Sequence, residues 1–195
     1  MKNKKILLAI FILVAIVQLY VPAKMILNNE DILKTGKEFK FKTAPIDPND
    51  PFRGKYITLR YDDNVTVFHA TGDWEKGEEI YVTLEEDEKG FAKIKSVLHD
   101  KPSNTSDFVK AKVGYGIFKW QTSNRLIIDY SFNKFYMKET KAYDAELAYR
   151  DAQIEEDNIT YALVSIKNGD AVLKDVIIDG VSVKEIVKNS SDKNN

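Results

Sequence analysis

The side chains in this sequence best suited to chemistry are carboxylates. Cysteine is absent and there are only two histidines, so thiol nucleophiles, zinc-thiolate sites and disulfides are excluded. His69 ends an apolar stretch and His99 stands thirty residues on, beside Asp100. That separation fits no metal-ligand spacing, so no metal and no cofactor are expected. Gly114-Tyr115-Gly116 has neither the phosphate-loop nor the dinucleotide spacing. The acidic run Glu85 to Glu88 lacks the alternating oxygen ligands and distal Glu of a calcium loop, and reads as a solvated hairpin tip. Glu139, Asp144 and Glu146 gather near the start of a helical pattern. Two carboxylates that converge on one bond are what a glycosidase needs. Asp144 and Glu146, however, diverge by about 200° on a helix that turns about 100° per residue. No catalytic residue is therefore assigned, and an envelope hydrolase built on Glu139 or Glu146 with Asp47 stands as the alternative.

A second group is suited to holding rather than reacting. Pro45, Pro48 and Pro51 are three of the chain's five prolines; they fix the backbone of the loop from Ala44 and remove three amide donors. Arg53 and Gly54 follow, and the guanidinium can clamp loop carbonyls or Asp47 and Asp50. In the next stretch Ile57, Leu59 and Tyr61 alternate with Tyr56, Thr58 and Arg60, which turns the first three to a core and leaves Tyr56 as the aromatic on the other face. Asp47, Arg53 and Tyr56 are the expected binding residues. Trp74, Trp120 and the ten tyrosines allow a further alternative, an aromatic pocket that senses a small ligand, although strand aromatics mostly form core.

The elements that position these residues follow from period. Alternating patterns predict strands at Lys37 to Thr43, Lys55 to Tyr61, Asn64 to Ala70, Glu79 to Glu85, Phe91 to Leu98, Phe108 to Ile117, Leu126 to Phe132, Ile159 to Ile166 and Ala171 to Ile178. The second and third should pair around Asp62-Asp63, and Asn168-Gly169 is the strongest hairpin signal. One short amphipathic helix is expected near 140–153, with Tyr143, Leu147 and Ile154 on its apolar face and Glu146 paired to Arg150. The fold class is mainly β, a barrel or a sandwich. Asp100 to Asp107 is the candidate linker between possible lobes 28–100 and 107–187, and 188–195 reads as a polar tail.

Ahead of this domain lies an apolar run. Lys2, Lys4 and Lys5 precede Ile6 to Ala23, where Gln18 is the one strongly polar residue, and Met25-Ile26-Leu27 extends the run beyond Lys24. At about 1.5 Å per residue, Ile6 to Leu27 covers the roughly 30 Å hydrocarbon core. Residues 1–27 are thus expected to form a single-pass anchor, its lysines holding the N-terminus in the cytoplasm and the domain outside; a domain so placed without cysteine reads as that of a bacterial cell membrane. The alternative is a signal peptide cut after Ala23, which the long apolar run disfavours. Removing residues 1–23 takes away three of the 29 positive charges and leaves 26 Lys+Arg against 30 Asp+Glu. A net acidic domain disfavours nucleic acid as a partner.

The segment Arg53-Gly54-Lys55-Tyr56-Ile57-Thr58-Leu59 is slightly similar to a strand of type I signal peptidases. Those enzymes need a serine between anchor and strand, and the first serine here is Ser96, so that reaction is excluded. A broader likeness runs through nearly the whole chain. Gly54, Tyr56, Leu59 and Tyr61, after the Pro-rich loop, resemble the signature of the bacterial GDYXXLXY family, with Lys55 in place of its Asp. Leu33-Lys34-Thr35-Gly36, the block from Tyr130 to Glu139 and the closing block from Asn168 to Gly180 fit the same pattern. The resemblance implies a membrane-anchored protein of uncharacterised function, with a polytopic membrane protein as a possible partner. The expected function is a non-enzymatic interaction or accessory module.

Overall fold

Strand formation follows the alternation of buried and exposed side chains. In the computed structural model, which describes residues 2–44, 56–70, 73–114, 118–120, 123–138, 141, 144, 145, 147–149, 152 and 158–193, twelve strands are described. They are β1 (Lys37–Lys42), β2 (Tyr56–Thr58), β3 (Val67–Ala70), β4 (Glu79–Glu86), β5 (Ala92–Leu98), β6 (Phe108–Val113), β7 (Phe118–Trp120), β8 (Ser123–Asp129), β9 (Lys134–Tyr136), β10 (Thr160–Lys167), β11 (Asp170–Ile178) and β12 (Val181–Ser182). Helix α1 (Lys2–Thr35) precedes β1, α2 (Asp63–Thr66) lies between β2 and β3, and α3 (Val183–Lys193) follows β12. The protein is mainly β, as the sequence patterns predict.

One sheet runs β1-β10-β11-β12, a second runs β3-β8-β6-β4-β5 with β7 on β8, and β2 pairs β9 as a ribbon. Backbone bridges between Thr43 and Tyr61 and between Val109 and Gly169 stitch the parts into a nearly closed, barrel-like sheet. It stays open at a seam between β1 and β5. A groove of about 650 Å³ runs there past Phe39, Thr83 and Ser96, and the Lys37–Asp107 ion pair lies at it. Lysines 37, 40 and 42 on β1 and 93 and 95 on β5 blunt these unpaired edges against further strands. Inside, Phe41 packs ring to ring with Tyr61, Tyr130 and Phe132 at centroid distances of 5.1–5.6 Å. Leu126, Ile128, Tyr130 and Phe132 are all buried, as their shared parity predicts.

The expected hairpin of Lys55–Tyr61 with Asn64–Ala70 does not form. Asp62 accepts from the Asn64 amide at 2.9 Å and so caps one helical turn, α2, over the first half of the expected strand. What remains, β3, pairs with β8, and β2 pairs with β9. A second correction concerns the C-terminus, where α3 runs into the expected polar tail. The stretch near 140–153 is therefore not the single helix of the domain. Its described residues are helical, but Ala145, Tyr149 and Ala152 are the buried ones while Leu147 is half-buried. The inner face is set by one large ring flanked by alanines small enough for close approach, rather than by the Leu147 row. Tyr143, Arg150 and Ile154 lie outside the described residues. Across Asp100–Asp107 the sheet is continuous, because β6 pairs with β4.

Helix α1 is continuous from Lys2 to Thr35 and contains Pro22. It carries the one apolar stretch, among the described residues, long enough to cross a membrane, and none of that stretch is buried in the domain. Only its last turn docks. Ile32 is 2% exposed, Lys167 reaches Asp31 at 2.6 Å and Thr35 at 2.8 Å, and Gly36 brings its backbone against the carbonyl of Ile166, where a Cβ would meet oxygen at 3.0 Å.

Candidate functional site

The strand that carries Tyr56 is positioned by its buried side. Ile57 and Phe135 lie opposite each other in the β2–β9 ribbon and are 1% and 4% exposed. Leu59 and Tyr61 continue the buried face, so the alternation read from the sequence holds over this segment. The Tyr61 hydroxyl donates to the Phe132 carbonyl at 2.7 Å, and the Leu59 amide donates to the Asn133 carbonyl at 2.8 Å. On the other side, the Ala44 amide donates to the Arg60 carbonyl and the Asp62 amide to the Lys42 carbonyl, at 2.8 and 3.0 Å. Ala44 and the end of the Tyr56 segment are thus pinned side by side.

Alternation places Tyr56, Thr58, Lys134 and Tyr136 on the outer face. Tyr56 and Tyr136 are directly opposed, with ring centroids 5.5 Å apart at 58°. The Lys134 ammonium lies 4.9 Å from the Tyr56 centroid, a cation–π distance. Tyr136 is 66% exposed. The face thus carries two aromatic rings and one cation. Amphipathic rings of this kind dominate protein interfaces because they bury much area for little side-chain entropy.

Of the residues the sequence singles out, Tyr56 stands on this surface. Asp47, Arg53, Glu139 and Glu146 lie outside the described residues. Tyr136 and Lys134 were missed as site residues. Their short Lys-Phe-Tyr alternation is visible in the sequence, but no local pattern reveals that it pairs with the segment around Tyr56, nearly eighty residues away. The Trp74 and His99 rings stack at 3.9 Å and 10°, and His99 Nδ1 meets Glu78 at 2.5 Å. Glu78 is held below its usual carboxylate range by the Glu75 amide and then by His99. Among the described residues no group of three His, Asp or Glu is placed to hold a metal.

The tyrosines on the buried side behave differently from Tyr56. Burial pushes the phenols of Tyr61, Tyr130 and Tyr149 above their ordinary value, so these groups are not acids near neutral pH. With this geometry in view, the comparison with known proteins can be placed. Residues 18–176 match the model of a family described as GDYXXLXY protein. No curated protein and no solved structure matches the chain.

Proposed function

The chain belongs to the GDYXXLXY family, and from that premise we propose that it is a single-pass accessory module that docks a membrane or envelope partner through the surface around Asp47, Arg53, Tyr56 and Tyr136. Its N-terminus lies in the cytoplasm of a bacterial cell and its β domain outside the membrane, an orientation supported by Lys2, Lys4 and Lys5 ahead of the apolar helix. The partner is a polytopic membrane protein. Nucleic acid is disfavoured by the acidic balance of the domain.

The observation that carries the reading is the pairing of half-buried Tyr56 with exposed Tyr136 beside Lys134, on a ribbon whose opposite face is core. Its place adds a geometric constraint. Strand β1 leaves the docked end of α1, and its six residues rise about 20 Å at roughly 3.3 Å each. The loop that follows Ala44 therefore starts at the strand end away from the anchor.

Crosslinking full-length, C-terminally tagged protein in native membranes tests this. Wild type should recover a stoichiometric membrane protein, and Tyr56→Ala/Tyr136→Ala should lose it with an unchanged melting temperature. Tyr136→Ala alone, at so exposed a position, guards against a folding defect, and Arg53→Ala extends the test into the loop. Equal recovery with wild type and variants would overturn the assignment.

A further inference from the structure

Helix α1 carries one polar site that cannot reach water. With Ile6 to Leu27 spanning the hydrocarbon, Gln18 lies twelve residues from the inner end and nine from the outer, about 18 Å and 13 Å at 1.5 Å per residue. Lys24 is within a turn of Leu27 and extends its ammonium to the interface, as long cationic side chains do. The shorter carboxamide of Gln18 does not. Pro22 stands four residues on, inside the same helix. Proline has no amide hydrogen, so the main-chain carbonyl of Gln18 loses its helical donor. One residue therefore presents a side-chain carbonyl, a side-chain amide and a main-chain carbonyl to lipid, where each unsatisfied group is costly. The side chain is exposed and the span touches no part of the domain, so the remedy lies in another helix.

We propose that Gln18 and Pro22 form a polar notch through which two copies of this chain pair as parallel membrane helices. The carboxamide is self-complementary, donating and accepting at once. Two copies inserted with the same topology bring it to the same depth without adjustment, and each can donate to the other's side-chain or proline-freed carbonyl. Ala15, one turn before Gln18 on nearly the same face, is small enough for close backbone approach. At the neck above the membrane, charges are matched within each copy, Glu30 with Lys34 and Asp31 with Lys167, so two necks meet without net repulsion. The inference rests on α1 being retained as a span; it does not depend on the Tyr56 surface.

The absence of cysteine makes single-cysteine crosslinking clean. In native membranes under a mild oxidant, Ala15→Cys should give a dimer of this chain and Ile16→Cys, on the opposite face, should not. Adding Gln18→Leu to Ala15→Cys should lower the dimer by about tenfold, the scale of one interhelical hydrogen bond in a membrane. Gln18→Asn should retain it, and Pro22→Ala, which restores the missing donor, should weaken it. Equal crosslinking at both positions, or no effect of Gln18→Leu, overturns the proposal. So does a crosslinked product containing a different protein, which would give the notch to a partner helix, or an intact mass lacking residues 1–23. The Tyr56→Ala/Tyr136→Ala chain should crosslink like wild type, which keeps failure of the surface reading separate.

Discussion

Tyr61 and Tyr130 show how one residue type divides between two tasks in this protein. Their hydroxyls donate to the carbonyls of Phe132 and Val65, each at 2.7 Å, while Tyr56 and Tyr136 keep theirs outside the core. Tyr61→Phe or Tyr130→Phe leaves a buried carbonyl without its donor and should lower unfolding stability by about 1–3 kcal/mol. Tyr136→Phe, on the exposed face, should change it by less than about 0.5 kcal/mol; chemical denaturation compares the three directly. Gly169 is bound by a stricter rule. Its φ of 91° follows Asn168 at 54°, the left-handed pair of a type I′ turn, and a Cβ there would meet the Phe108 ring at 2.6 Å. Gly169→Ala should therefore destabilise by more than about 1 kcal/mol, strain and overlap acting together. The Asn-Gly turn was legible in the sequence because its chemistry is local. The Phe108 ring that makes Gly169 irreplaceable belongs to another strand, and no local rule points to it.

Elements repeat that division. Strands whose two faces differ, such as β1 with Phe39 and Phe41 buried between exposed lysines, announce themselves by period. The turn α2 did not, because Asn64 to Ala70 looks β-like until the Asp62 cap is counted, and the helix near 140–153 hid its inner face because alanines carry little hydrophobic signal. Least legible was the docking of α1. Leu33 to Gly36 stood out only as part of the family pattern, yet beside it Ile32 is buried and the Asp31 carboxylate holds Lys167, which keeps that carboxyl below its ordinary value of 3.8. A carboxylate depressed in the folded state contributes stability above its unfolded pKa and loses that contribution as pH falls through the folded one. The clasp should hold at neutral pH and open only in acid below the usual aspartate range. The protection of the Gly36 and Lys37 amides against hydrogen exchange, corrected for the intrinsic rate at each pH, should then fall a few-fold in acid, and fall similarly at neutral pH in Asp31→Asn. Ile32→Ala should release the helix more completely, since filling that site accounts for about 2–5 kcal/mol.

On the scale of the whole molecule, closure of the sheet depends on partners far apart in sequence: β1 pairs with β10, some 120 residues on, in a register set by Phe39 against Val164 and Phe41 against Ala162. Period gives each strand's inner face but not its neighbour, which is why barrel and sandwich were equally readable beforehand. Closing the sheet around Phe41 buries three phenols, Tyr61, Tyr130 and Tyr149, whose ionisation burial opposes. An unfolded tyrosine ionises near pH 10, so above that value the unfolded chain binds fewer protons than the folded one and stability falls as pH rises. The contribution is whole below pH 10. Each such group removes about 1.4 kcal/mol per pH unit beyond it, so three acting together erode a net stability of about 5–15 kcal/mol within a few units. Phenolate absorbance followed with circular dichroism should show the phenolates of the buried cluster appearing together, as the sheet is lost. Smooth titration of every tyrosine without loss of the sheet would contradict the buried cluster. Tyr149 sharpens the test. Among the described residues its hydroxyl is buried without a hydrogen-bond partner, although Thr43 lies near enough to ease its ionisation slightly. Tyr149→Phe removes both an unpaired polar atom and one alkaline liability, so it should leave neutral-pH stability unchanged or higher and move the alkaline midpoint upward. Tyr61→Phe and Tyr130→Phe, which surrender a hydrogen bond for the same change in titration, should gain less or lose.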